Sequence, residues 1–219
     1  MTITIKFNNN TVHNYNSIEE ILKIDNYDDI IYIYCAYENL SSLPKLPNSI
    51  HELWCSNNNL SRLPELPNSL TKLCCSNNCL AILPELPNSI IYLNCSYNLL
   101  SSLPELPNSL IEFVCSCNNL SSLPKIPKLL KTMWCSNNNL SSLPELPNSS
   151  IFIYYHDNPI YIHIENYFNS DRNKYFKYYE HMKRIFSNKI GNWFLECKYN
   201  PKYLYCRKRL MKEYDEFYN

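Results

Sequence analysis

Hydrophobic residues recur at fixed positions every twenty residues over much of this chain. Leucine or another apolar residue occupies five positions of the period, and cysteine occupies a sixth. Aligned on the cysteine, the repeats read LxxLxCSxNxLxxLPxLPxS, with five near-perfect copies across residues 41–140 and an imperfect repeat on each side. A period of this length predicts a solenoid, which is a stack of similar coils that all bury the same positions.

Each repeat combines a signal for a strand with a signal against a helix. Within Leu53–Cys55 the side chains alternate, so the outer two residues face the core and Trp54 faces outwards. On the return side, the two prolines of LPELP remove amide donors and fix φ, which excludes a helix and favours extended polyproline II chain. The sequence therefore predicts a β-rich repeat solenoid, a leucine-rich-repeat horseshoe, over residues 30–160. Its short parallel strands are expected on the concave side and its extended chain on the convex side.

One asparagine per repeat follows the strand, where the chain turns away from the sheet. An amide side chain both donates and accepts, so in stacked coils it can bond the backbone of its own and the neighbouring coil. We expect these residues to form a buried ladder, and we expect Asn57, one position off the ladder, to contribute little to stability. The first repeat carries Glu38 at the ladder position. The ladder asparagines are Asn58, Asn78, Asn98, Asn118, Asn138 and Asn158.

The cysteines fit a hydrophobic column better than a disulfide framework. The chain has 11 of them, an odd number, and the repeats place one per coil at the same core position. Free cysteine is among the most buried residue types, so we expect core thiols in a reducing compartment. The column is Cys35, Cys55, Cys75, Cys95, Cys115 and Cys135.

Catalytic and metal-binding patterns are weak. Strand alternation points Cys74 away from Cys75, so the pair is not expected to chelate one ion, and Cys74 should be exposed and reactive. The 5 histidines are scattered and form no motif with a cysteine nucleophile. The sequence predicts no enzyme activity, no metal and no cofactor.

The outward positions of the strands vary from repeat to repeat, unlike the core columns. Several of them are Trp or Tyr, the residues that dominate interface energies, and folding does not require them there. We therefore predict a partner-binding concave face. Its residues are Trp54, Lys72, Tyr92, Glu112, Val114, Trp134 and Tyr154.

The two ends of the chain depart from the repeat. Residues 1–29 are expected to cap the solenoid, with a strand in TITIKF and a short helix opening at Ser17. Residues 161–219 are expected to form a helical C-terminal module, with helices over 171–190 and from Asn200. Residues 1–170 hold 8 basic and 14 acidic side chains, net −6, whereas the rest hold 12 and 6, net +6. This basic, aromatic tail is expected to cap the solenoid; the alternative is that it binds nucleic acid or another acidic surface.

The repeats resemble those of bacterial secreted leucine-rich-repeat effectors, which also read LPxLPxxLxxLxVxxNxL. They are similar, too, to the Asn- and Tyr-rich repeat proteins of giant DNA viruses of amoebae. The resemblance implies a curved solenoid that binds proteins and does not imply catalysis. Many such effectors add a ubiquitin-ligase domain with a Cys-x-Asp motif, and neither Cys197 nor Cys206 matches that motif.

These patterns together predict a viral, non-catalytic protein-interaction scaffold. The first residues carry no secretory signal, and no apolar run approaches the ~18 residues of a membrane-spanning helix. We therefore expect a soluble protein of the host cytoplasm. Its expected partner is an unknown protein, for which a host protein is a candidate. Neither a nucleic acid nor a membrane is expected as its main ligand.

Overall fold

The computed structural model describes residues 2–146 and 151–168, together with Lys174 and Lys177. Contacts between Cα atoms divide the chain into two units, Met1–Pro159 and Ile160–Asn219. The first unit contains the repeats, and its strands form one sheet of nine strands in the order β2-β1-β3-β4-β5-β6-β7-β8-β9. The strands are β1 (Ile3–Phe7), β2 (Val12–Tyr15), β3 (Ile30–Tyr34), β4 (Glu52–Trp54), β5 (Lys72–Cys74), β6 (Tyr92–Asn94), β7 (Glu112–Val114), β8 (Thr132–Trp134) and β9 (Phe152–Tyr154).

The seven strands from β3 to β9 are parallel and pair at a constant offset of twenty residues. Leu53 pairs with Leu73, and Leu73 with Leu93, so each core position stacks on its own copy. The return segments, such as residues 61–69, contain neither helix nor strand. They end in a tight turn in which the Leu70 amide donates to the Pro67 carbonyl at 3.0 Å. This architecture confirms the predicted leucine-rich-repeat solenoid.

The core is a set of stacked columns that run through the coils. The column of Leu53, Leu73, Leu93, Phe113 and Met133 is fully buried. The cysteine column beside it is buried throughout, as are Leu60, Leu80 and Leu100 on the turn side. Because a coil buries its leucines only against the coils above and below it, stability comes from the stack and not from any one repeat.

The N-terminal segment lies against the first coil. Strand β1 buries Ile3, Ile5 and Phe7 and pairs antiparallel with β3, so it covers the edge that the first parallel strand would otherwise expose. Strand β2, which the sequence did not indicate, pairs with the other edge of β1. A short helix α1 (Ile18–Ile21) follows, and the Ser17 hydroxyl accepts from the Glu20 amide at 3.4 Å.

The last repeat turns into a helix, which the sequence pattern did not predict. Helix α2 (Pro159–Phe168) begins where the column predicts another coil residue at Ile160. The stretch lacks the LPxLP motif, and a proline at the first position of a helix loses no internal hydrogen bond. The helices predicted over 171–190 and from Asn200 lie outside the described residues.

Candidate functional site

The outward side chains of β3 to β9 form two rows along the solenoid, and together these rows are the concave face. The parallel register places Tyr34, Trp54, Cys74, Asn94, Val114, Trp134 and Tyr154 in the first row. It places Tyr32, Glu52, Lys72, Tyr92, Glu112, Thr132 and Phe152 in the second row. All seven side chains predicted to bind a partner lie in these rows.

The first row and the second meet in an aromatic pair that crosses β5. The rings of Trp54 and Tyr92 stack with centroids 5.9 Å apart and an interplanar angle of 29°. Their strands are the two neighbours of β5, whose outward residues are Lys72 and Cys74. Each ring is half-buried, so the pair is assembled before any partner arrives.

The expectation of an exposed Cys74 is wrong, because this side chain is only 7% exposed. Alternation does point it away from the core, but the two neighbouring strands, β4 and β6, carry the large rings of Trp54 and Tyr92. The Ser56 hydroxyl lies 3.1 Å from its sulfur, and the Ser76 hydroxyl lies 3.6 Å away. Alternation along one strand says nothing about the size of the side chains on the neighbouring strands.

A second aromatic pair lies toward the C-terminal end of the sheet. Trp134 and Tyr154 are direct neighbours in the first row, and their rings stack with centroids 5.6 Å apart and an interplanar angle of 4°. Tyr154 is 44% exposed, and Phe152 beside it is 69% exposed. Between the two pairs the face carries Asn94 and Val114, which are half-buried.

Charges on this face are few and unevenly compensated. Lys72 donates to Glu52 at 3.0 Å, and the Trp54 indole donates to the same carboxylate at 3.2 Å. Burial pushes the pKa of Glu52 upwards, but the hydrogen bonds from Lys72 and Trp54 outweigh it and hold the pKa below its usual value. Glu112 is exposed, and no described residue forms an ion pair with it.

The six ladder asparagines lie directly behind the strand ends and are buried. The side-chain oxygen of Asn98, Oδ1, accepts from the backbone amide of Leu80 in the preceding coil at 3.0 Å. Its amide group donates to the Cys75 carbonyl of the preceding coil and to the Cys95 carbonyl of its own coil, both at 3.1 Å. Asn78, Asn118 and Asn138 repeat this arrangement. The ladder therefore fixes each strand relative to the next and holds the concave face in shape.

At the ladder position of the first coil, Glu38 is buried, and its Oε1 atom accepts from the Thr2 amide at 2.8 Å. The backbone amide of Glu38 donates to the side-chain oxygen Oδ1 of Asn58 at 3.1 Å. The residue just before the antiparallel strand β1, Thr2, supplies an amide here, so an acceptor suits the end of the ladder.

The residue before each ladder position has a left-handed backbone. Asn57 has φ of 55°, and alanine is disfavoured in this region by about 1–2 kcal/mol, so the backbone argues against the expectation that Asn57 contributes little to stability. Asparagine tolerates the conformation, whereas Tyr97 and Cys117 occupy it at greater cost. The neighbouring Cys117 thiol raises the pKa of the Tyr97 hydroxyl. The column is Tyr37, Asn57, Asn77, Tyr97, Cys117, Asn137 and Asp157.

A second ladder, made of serines, was missed by the sequence reasoning. The hydroxyls of Ser49, Ser89 and Ser109 donate to carbonyls of the preceding coil at 2.6–2.7 Å. Ser69 does the same with the Ile50 carbonyl at 2.6 Å. The serine that ends the repeat in all copies but one was the available signal. Leu129 takes this position in the next coil and is exposed.

The thiol column is chemically quiet. Burial raises the pKa of Cys95 to about 12, and the thiol donates to the Val114 carbonyl at 3.5 Å. Burial raises the pKa of Cys135 to about 12 as well. Within residues 2–146 and 151–168, no group of three or more His, Cys, Asp or Glu side chains is placed to hold a metal ion. Over the same residues, no helix has the length and apolar character needed to cross a membrane.

Solved structures similar to this chain are bacterial leucine-rich-repeat effectors. YopM, a leucine-rich effector protein from Yersinia pestis, is 41% identical over 58% of this chain and 37% of its own, with a TM-score of 0.56. The leucine-rich-repeat domain of a Shigella effector is 38% identical over 64% of this chain and 63% of its own, with a TM-score of 0.58. YopM from Yersinia enterocolitica is 43% identical over 55% of this chain and 27% of its own, with a TM-score of 0.54.

The matched part of this chain thus spans less than two thirds of each of these structures. No protein-family model matches the chain, and no curated protein sequence matches it. The identity to the effector structures and the shared architecture show a leucine-rich-repeat solenoid built from repeats of the effector type.

Proposed function

We propose that this protein is a non-catalytic scaffold that binds a protein partner through its concave face. The observation that carries the proposal is the presence of two assembled aromatic pairs, Trp54–Tyr92 and Trp134–Tyr154, on a face that the core does not need. Trp and Tyr supply most of the energy at protein interfaces, and rings already held by stacking lose little entropy on binding.

The spacing of the pairs suits a partner that lies along the solenoid. Trp54 and Trp134 lie four strands apart in the first row, which corresponds to ~19 Å at about 4.8 Å per strand. A partner segment that spans both pairs covers the half-buried positions between them. Each aromatic pair can serve as one hot spot of the interface, with the smaller side chains between the pairs supplying complementary contact.

A binding role also fits the chemistry of the described residues better than a catalytic one. The column thiols are buried and protonated, and a thiol is a poor nucleophile in that state. The ladder asparagines are engaged with the backbone. The similarity to bacterial effectors supports a role in protein recognition, since those proteins carry the same repeat architecture.

The proposal includes action in a host cell. Free thiols in six successive coils suit a reducing compartment, which is the reason to place the protein in the host cytoplasm. The Asn- and Tyr-rich repeats are similar to those of repeat proteins of giant DNA viruses of amoebae, which is the reason to propose a viral origin.

The test is to identify a partner by proximity labelling in the host cell and to measure its affinity for variants of the whole chain. Trp54→Ala and Trp134→Ala should each weaken binding by about 2–4 kcal/mol. Ile82→Ala is the matched control, because Ile82 is 64% exposed and lies outside the concave face.

The basic C-terminal segment supplies the competing explanation. Changing Arg207, Lys208 and Arg209 together to Ala should leave partner affinity intact, and affinity should change little with salt. If that triple variant loses the partner while both Trp variants keep it, the concave face is not the binding surface. A steep loss of affinity with salt would then indicate an acidic or phosphate-bearing ligand.

A further inference from the structure

We propose that the concave face selects a partner segment in which a basic side chain lies between two apolar side chains. The inference rests on the proposed function and assigns the recognition of the basic side chain to Glu112. The ligand class is an extended protein segment, with arginine preferred to lysine.

The position of Glu112 is the first step. It lies on β7, in register with Tyr92 on β6 and with Thr132 on β8, the strand that also carries Trp134. Each neighbouring strand is about 4.8 Å away, so the carboxylate stands between the two aromatic pairs. The carboxylate is also close enough to the first pair to affect it electrostatically. Burial raises the pKa of Tyr92, and the negative charge of Glu112 adds to the increase.

The charge balance of the face is the second step. The two rows contain three formal charges, on Glu52, Lys72 and Glu112. Glu52 and Lys72 neutralise each other at 3.0 Å, and the Trp54 indole holds the same carboxylate. Glu112 is therefore the uncompensated charge of the face among the described residues. A partner that covers it without a cation buries an unpaired carboxylate, which is strongly unfavourable.

The neighbouring rings favour a cation for a second reason. The face of Trp or Tyr attracts a positive charge, and the attraction grows when water is excluded. A side chain that reaches Glu112 between the two pairs meets the carboxylate together with ring surface. Arginine suits such a site better than lysine, because its planar guanidinium bonds a carboxylate through two N–H groups and stacks on rings.

The strand spacing sets the order of residues in the partner. The first pair is centred on β5, two strands or ~10 Å from Glu112, and the second lies between β8 and β9, ~7 Å from Glu112 at about 4.8 Å per strand. An extended segment rises about 3.3 Å per residue. The matching pattern is therefore apolar-x-x-basic-x-apolar, with the basic residue opposite Glu112.

The experiment measures binding of the full chain to fluorescent peptides of the form Leu-Ser-Ser-X-Ser-Leu, flanked by serines, with X as Arg, Lys, Gln or Glu. Anisotropy should show that the Arg peptide binds about tenfold more tightly than the Gln peptide, a difference of about 1.4 kcal/mol. Glu112→Gln should remove that preference, and Glu112→Lys should shift it to the Glu peptide. Glu105→Gln, which removes the same charge from an exposed position outside the concave face, should preserve it.

Several outcomes overturn the inference. Equal binding of all four peptides, or no binding of any peptide, does so. If Trp54→Ala and Trp134→Ala weaken binding while Glu112→Gln has no effect, the basic selectivity is wrong and the proposed function stands. If the Trp variants bind peptide normally, the proposed function itself fails. If a peptide of residues 203–211 of this chain binds more tightly than the Arg peptide, the occupant of the concave face is the chain's own basic segment and not a partner protein.

Discussion

Removal of one ladder asparagine is the sharpest test of what holds the coils together. In Asn98→Ala, the Leu80 amide loses its acceptor at 3.0 Å, and no other described group accepts from it. Leu80 is fully buried, so water cannot replace the lost partner. The Cys75 carbonyl is less affected, because Asn78 also donates to it at 3.1 Å. One unsatisfied buried amide costs about 1–3 kcal/mol, and we expect a loss of about 2 kcal/mol in the free energy of unfolding.

Urea denaturation measures this loss, and amide hydrogen exchange localises it. The Leu80 amide should exchange faster in the variant than in the wild-type protein, because a local opening now suffices to expose it. Asn119→Ala is the matched control: Asn119 is exposed, its side chain makes no hydrogen bond among the described residues, and its φ is not positive. Asn57 does not serve as a control, because its left-handed backbone gives alanine a cost of its own.

The reasoning is refuted if Asn98→Ala and Asn119→Ala lower the free energy of unfolding by the same small amount. It is also refuted if exchange at Leu80 is unchanged in Asn98→Ala. Either result would mean that the Leu80 amide finds another acceptor and that the ladder is not the device that fixes one coil on the next.

Tyr97→Asn should raise the urea midpoint, corresponding to about 1 kcal/mol, because asparagine tolerates the left-handed backbone; a lower midpoint would show that the exposed side-chain contact of Tyr97 matters more. Leu129→Ser should restore the serine ladder and stabilise the fold by about 0.5–1.5 kcal/mol, and an unchanged midpoint would contradict the role given to that ladder. In alkylation of the native protein followed by mass spectrometry, Cys79, which is exposed, should react long before Cys74; similar rates would refute the shielding of Cys74. Burial raises the pKa of Cys95 from 9.0 to about 12, so the unfolded chain loses this proton first and stability should fall as pH rises above about 9, with a smaller fall in Cys95→Ala.

The sequence by itself determined the repeat solenoid. A period of twenty residues with the same columns in every copy leaves one arrangement that buries all the leucines, namely coils stacked in register. The prolines excluded helix from the return side, and the asparagine that follows each strand marked the polar position that a stack must satisfy. Each of these features is repeated. The same contact therefore recurs from coil to coil, and it appears in the sequence as a periodic pattern that can be recognised without coordinates.

Contacts that occur only once in the stack were decided by the tertiary structure. Trp54 and Tyr92 are 38 positions apart in the numbering, and only the pairing of three strands brings their rings together across β5. The same holds for Glu112, whose lack of a partner among the described residues depends on what the neighbouring strands carry. Backbone conformation was equally hidden: the left-handed column contains Asn, Asp, Tyr and Cys but no glycine to mark it. Periodicity records what every coil shares, whereas the concave face is made of what each coil does differently, and those differences interact only in three dimensions.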